Sequence, residues 1–144
     1  MDAVAIAEML RKDRHEWRKL ATMLEAHPDE PLHDPNSPTW TSRDIYAHLA
    51  RWMERTTEQL KAELAGQPLP PIPGTDDEIN ARWQAEDSHL SLEQAREWAQ
   101  QAFDHRIRAI ESVPGDQWND TREAIARGDG DEHYAAHLSY ILVK

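Results

Sequence analysis

The chain has 144 residues, 27 acidic against 16 basic, for a formal charge of −11 at pH 7. It is long enough to bury a core unaided, and a single domain over residues 1–144 is expected. The acidic balance, with no Lys/Arg cluster, argues against nucleic acid and anionic membrane surfaces as partners, and the lack of cysteine removes disulfides, thiolate nucleophiles and Cys-based zinc or iron–sulfur centres together.

The first seventeen residues, MDAVAIAEMLRKDRHEW, carry acidic groups early and no long apolar run, which is not the pattern of a secretory signal. Nowhere does an apolar stretch approach the roughly 20 residues that span a bilayer. A soluble, cytoplasmic protein is therefore expected. Ala3, Ile6, Leu10, Trp17, Leu20 and Leu24 recur at three- and four-residue steps, predicting an amphipathic helix over about 2–26. Asp13 falls in that stripe and reads as an edge residue, with an inward polar role as the alternative.

Four prolines punctuate HPDEPLHDPNSPTW (27–40), a rigid, non-helical connection. Thr41 with Asp44 makes a capping-box start. Ile45, His48, Leu49, Trp52, Thr56, Leu60 and Leu64 then trace one face of a second long helix, which stops at Gly66 and the linker GQPLPPIPG. Thr75 and Glu78 form another box, opening a short helix with Ile79 and Trp83 one turn apart. Ser91 and Gln94 form a third, launching a long helix whose face is Leu92, Ala95, Ala99, Ala102, Arg106, Ala109 and Val113, ended by Pro114-Gly115. Residues 116–130 carry little pattern beyond two helical turns in TREAIARG. Asp131 is placed to cap a last helix of about thirteen residues with Tyr134, Leu138, Ile141 and Leu142. With no strand pattern and no internal repeat, the expected class is all-α: a four-helix bundle with a short extra helix between its second and third members.

His133 and His137, in HYAAH, are four residues apart and so share one face of the last helix. Two imidazoles on adjacent turns can reach one ion, or simply be solvated surface groups. His48 lies mid-stripe between Ile45 and Trp52, where both ring nitrogens need partners. A backbone carbonyl and a hydroxyl would satisfy it, and so would an ion. Together the three make an open centre in which a further coordination position is left for water or substrate, to lower a water pKa or hold an anionic substrate atom. Rival patterns are weaker. EDSH (86–89) offers one Glu-x-x-His, where a di-iron bundle needs two. RGDGDE (127–132) lacks the spacing and closing Glu of a calcium loop. His15, His27, His33, His89 and His105 read as solvated.

WTSRDIYAHLARW (40–52) resembles the Trp-Thr-x-x-Asp-hydrophobic-x-x-His-Leu-x-x-Trp segment of the DinB/YfiT-like superfamily, and DEHYAAHLSYI (131–141) resembles its closing His-x-x-x-His helix. INARWQAEDSHLSLEQAREW (79–98) is similar to the ClbS/DfsB-like branch, which sits close to the N-terminal domain of mycothiol-dependent maleylpyruvate isomerases. The resemblance implies a DinB-like four-helix bundle with a divalent metal, zinc or nickel foremost, held by His48, His133 and His137. It also implies an enzyme acting on a small molecule: an S-transferase or isomerase using a low-molecular-weight thiol such as mycothiol or bacillithiol, or a hydrolase that disarms a reactive compound. A homodimer is a further implication. The chain departs from the isomerases in running only three residues past Ile141, so their extra C-terminal domain is expected to be lacking, and EAIARGDGD is more polar than the family pattern.

Around that centre, Asp44 is placed one turn before His48, to orient it or merely to cap its helix. Trp52, Tyr140, Asn80 and Trp83 are candidate substrate contacts, with core packing the alternative for Trp52. A non-catalytic protein that sequesters a metal or small molecule is the competing reading, and a dead site on a retained scaffold a third.

Overall fold

The computed structural model describes residues 1–28, 30–32, 35 and 37–141. His33 and Leu142, named above, lie outside them. The fold is all-helical, and no β-strand forms among the described residues. Among the described residues no helix is long and apolar enough to cross a membrane.

Helix α1 spans Ala3–Ala26, with the Asp2 carboxylate accepting the Ala5 N–H at 2.8 Å, one of the orphan donors every helix start leaves. Helix α2, Ser42–Ala65, starts at the expected Thr41, whose N–H donates to Asp44 Oδ2 at 3.0 Å. It ends on Gly66, held left-handed at φ 66°, which glycine adopts without a Cβ clash. The Ser42 hydroxyl sits 2.8 Å from the carbonyls of both Leu24 and His27, tying the start of α2 to the end of α1 across the proline-rich connection.

The short helix α3, Asp76–Glu86, and the long α4, Leu92–Glu111, open on the capping boxes read from Thr75/Glu78 and Ser91/Gln94, each closed in both directions. TREAIARG is helical: α5 spans Asp120–Arg127, capped by Asn119. Helix α6 spans Asp131–Ile141.

Helix α4 lies along α2, and α6 along α1. Ala95, Ala99, Ala102 and Ala109 are buried on α4, so its backbone can approach α2 closely. Trp17 links three helices: it stacks on Phe103 of α4 at 5.1 Å and meets Tyr134 of α6 edge-on at 5.3 Å. Burying side chains of this size contributes about 2–3 kcal/mol each.

Two expectations are corrected. Asp13 is not at the stripe edge. It is 1% exposed, pointing inward to an ion pair at 2.7 Å with Arg106, itself 1% exposed. Nor does Asp131 cap the last helix, since it lies within its first turn. The cap comes from another helix: Asp13 Oδ1 accepts the Asp131 N–H at 2.8 Å. A carboxylate 118 positions away in sequence thus satisfies a donor that local chemistry was expected to serve.

Candidate metal centre

His48 is delivered by the middle of α2, and His133 and His137 by successive turns of α6. Their rings converge. His133 Nε2 stands 3.3 Å from His48 Nε2 and 3.0 Å from His137 Nε2, and one nitrogen from each of the three lies within 4.8 Å of the others. Imidazole nitrogens bound to one tetrahedral zinc at about 2.0–2.1 Å stand roughly 3.3 Å apart, so the set matches a single ion's reach. Three neutral nitrogen donors without a thiolate suit zinc, nickel, iron or copper. His48 Nδ1 is covered and makes no well-aligned hydrogen bond, with the Asn80 side chain as the ring's polar neighbour, so a core histidine well bonded at both nitrogens is disfavoured.

Burial lowers the pKa of two of these rings, His48 and His137. Desolvation holds His48 well below the ordinary imidazole value, reinforced by the neighbouring His137 and His133. His137 is pushed down to about 3 by desolvation and then by His133, with Asp129 opposing. Both are therefore neutral at pH 7, the state that ligates. The consequence for stability has a definite sign. Below about 6.5 the unfolded chain takes up protons that the folded rings refuse. Their contribution is present above that pH and is lost as pH falls toward the folded values. In chelator, stability by chemical denaturation should drop by about 2 kcal/mol between pH 7.5 and 5 on account of His137, with a further loss in the same direction from His48, above the range where most carboxylates titrate. A His137→Gln variant should show a shallower slope; identical slopes would mean that this ring is not buried neutral.

Asp129 is the carboxylate beside the cluster. Its Oδ1 lies 3.1 Å from His133 Nδ1, within ion-pair distance although the ring's N–H direction misses the oxygen, and its Oδ2 accepts the Thr56 hydroxyl at 2.9 Å. Desolvation would raise its pKa. The contacts with His133 and Thr56 and the charge of Arg106 outweigh it and hold the carboxyl below the usual value.

The histidines line a cleft of about 750 Å³ together with Trp40, Trp52, Asn80, Tyr140 and Asp129. No Lys or Arg lines it among the described residues. Trp52 Nε1 donates to Asn80 Oδ1 at 2.7 Å, joining two candidate contacts across α2 and α3. Trp83 does not line this cleft; it packs edge-on against Trp52 at 4.9 Å, as a backing layer. Asp44 has both oxygens engaged away from His48: Oδ2 takes the Thr41 N–H, and Oδ1 takes Arg43 Nη2 at 2.6 Å and Gln84 Nε2 at 3.3 Å.

Helix α3 becomes a wall of the cleft through Arg51. Its guanidinium grips the buried Asp87 carboxylate through two bonds, at 3.0 and 2.7 Å, and lies over the rings of Trp83 and Trp98 at 5.4 Å each. EDSH, weighed for its Glu and His, matters here for its Asp. His89 and His105 have partners of their own, the Glu86 carbonyl at 2.9 Å and the Glu54 carboxylate at 2.8 Å.

Sequence reasoning missed Asp129, Trp40, Arg51 and Asp87. Trp40 meets His48 edge-on at 5.3 Å, and its place at the head of WTSRDIYAHLARW was a usable signal. Asp129 was weighed only within RGDGDE as a calcium-like loop, and its other signal was the unexpected polarity of EAIARGDGD.

Comparison with curated proteins finds no match, and comparison with solved structures finds none. The sequence pattern of the DinB superfamily matches residues 10–143, from early in α1 to beyond α6 and across all three histidines. With nearly the whole length covered, the chain belongs to the DinB superfamily.

Proposed function

We propose that this protein is a metal-dependent enzyme acting on a small molecule, a thiol-dependent S-transferase or isomerase, or a hydrolase. Its frame in this reading is a four-helix bundle of α1, α2, α4 and α6, with the ClbS/DfsB-like branch as its nearest kin. The observation that carries the proposal is the convergence of three imidazole nitrogens, 3.0 and 3.3 Å apart at His133 Nε2, on the wall of an open cleft. A closed structural site would surround its ion with four protein ligands, whereas three leave room for a reacting group. The superfamily assignment supports the same reading.

His48, His133 and His137 would hold zinc or nickel, which supplies a Lewis-acid position where a thiol or water is activated. The remaining roles belong to the chain's own residues. Trp52 and Trp40 present aromatic surface to a bound molecule. Asn80, beside the His48 ring, is oriented by its bond from the Trp52 indole, and Tyr140 offers a hydroxyl one turn beyond His137. Trp83 acts from behind Trp52. Because no described cation lines the cleft, a ligand with one anionic reacting atom is favoured over an extended polyanion.

The test is turnover of metal-loaded protein with a model electrophile, using bacillithiol and mycothiol in parallel and a thiol-free arm for hydrolysis. The expected result is turnover in at least one arm that is lost in His137→Ala. No turnover in any arm, with tight binding of the small molecule, would replace the enzyme reading with sequestration.

A further inference from the structure

We infer that Asp129 is the positioning residue of the histidine centre: its carboxylate stands 3.1 Å from Nδ1 of His133, within ion-pair distance, and thereby aims Nε2 of that ring at His48 and His137. The inference rests on the reading of the three histidines as an ion's ligands.

The carboxylate is committed to side chains. Oδ1 lies 3.1 Å from His133 Nδ1, one helical turn on, and Oδ2 takes the hydroxyl of the buried Thr56 at 2.9 Å. A carboxylate placed only to cap α6 would accept N–H groups of its first turn. Here the His133 and Tyr134 N–H groups go to the Gly130 carbonyl and the Asp131 N–H goes to Asp13.

The backbone around Asp129 is set with equal care. Asp129 has φ 56°, the one non-glycine with positive φ among the described residues, a conformation costing on the order of 1 kcal/mol. Both flanks are pinned by the same buried ion pair. Arg106 donates to the carbonyls of Ala126 at 2.6 Å and Gly128 at 3.1 Å, while Asp13 takes the N–H of Asp131. Gly130 has no room for a side chain, since a Cβ would lie 2.6 Å from Arg106 Nη2 and 2.7 Å from Asp13 Oδ1. The outcome of this construction is a carboxylate at the one ligand whose Nε2 contacts both others. A carboxylate 3.1 Å from Nδ1 favours the proton on that nitrogen, which leaves Nε2 as the donor to an ion and raises its basicity.

The experiment compares the parent with Asp129→Gly, which keeps positive φ available, and Asp129→Asn, which keeps shape and removes charge. Thr56→Val, which frees Oδ2 and removes a longer contact at 3.5 Å to the Gly128 carbonyl, is the second route should the Asp129 variants fold poorly. Zinc affinity is read by competition with a chromophoric chelator, and the His133 tautomer by ring-nitrogen NMR, with and without zinc. The expected result is zinc binding about 10- to 100-fold weaker in Asp129→Gly, a smaller loss in the same direction in Asp129→Asn and Thr56→Val, and a parent His133 protonated at Nδ1. Affinity in Asp129→Gly equal to the parent's, or a parent His133 protonated at Nε2 in chelator, overturns the assignment alone. A parent that takes up no zinc overturns the metal reading and this assignment with it.

Discussion

Untagged protein is expected to carry close to one divalent ion per chain, and His48→Ala, His133→Ala and His137→Ala are each expected to lose most of it. Two remaining imidazoles hold an ion far less tightly than three, and the loss of affinity should exceed the roughly 100-fold that removal of an outer orienting partner can cost. The three variants separate site from scaffold. His48 and His133 are half-buried at the cleft wall, so their truncation leaves little void, whereas His137 is 8% exposed and its truncation opens one. Elemental analysis should therefore show comparable metal loss in all three, with thermal stability in chelator falling most for His137→Ala. Parental metal content in all three variants would place the ion elsewhere and leave the cluster as a hydrogen-bonded histidine group.

Removing the Asp13 carboxylate should be among the most damaging changes to the fold. Asp13→Ala leaves the Arg106 guanidinium, 1% exposed, without its ion-pair partner. Breaking one side of a buried pair costs about 3–5 kcal/mol, a fall of about 10 °C or more in melting temperature at this chain length. Asp13→Leu with Arg106→Met should regain much of that stability, because an apolar pair avoids the desolvation of two ions. It should not regain metal affinity. The double variant still lacks the partners of the Ala126 and Gly128 carbonyls and of the Asp131 N–H, and so leaves the segment carrying Asp129 unpinned. Gly130→Ala should imitate the loss from the other side by forcing a Cβ against the pair. Full metal affinity in the double variant would mean that the ion pair serves stability alone.

That pair also marks the limit of what could be read ahead of the structure. The three histidines were legible because two share a helix face through a four-residue spacing and the third interrupts an apolar stripe, both features of a few adjacent turns. Of the candidate substrate contacts, Trp52, Asn80 and Tyr140 line the cleft, while Trp83 stands behind it. Asp44 was found for its cap, and its oxygens stay with that cap, Arg43 and Gln84. Asp129 was weighed only as part of a calcium-like loop and set aside, since nothing in its neighbourhood announces a partner on α6 and another on α2.

The amino-acid sequence by itself determined where the helices start and stop, because the Thr41, Thr75 and Ser91 caps, the glycine after α2 and the three-four spacing of apolar residues act within about one turn of chain. It determined in the same way that His133 and His137 face together. Only the tertiary structure decided that Asp13 is an inward anchor rather than an edge residue, that it caps α6 from 118 positions away, and that Asp129 stands against His133. A buried charge or an orphan N–H must find a partner, but sequence order does not say which, since every suitable group brought near by packing competes for it.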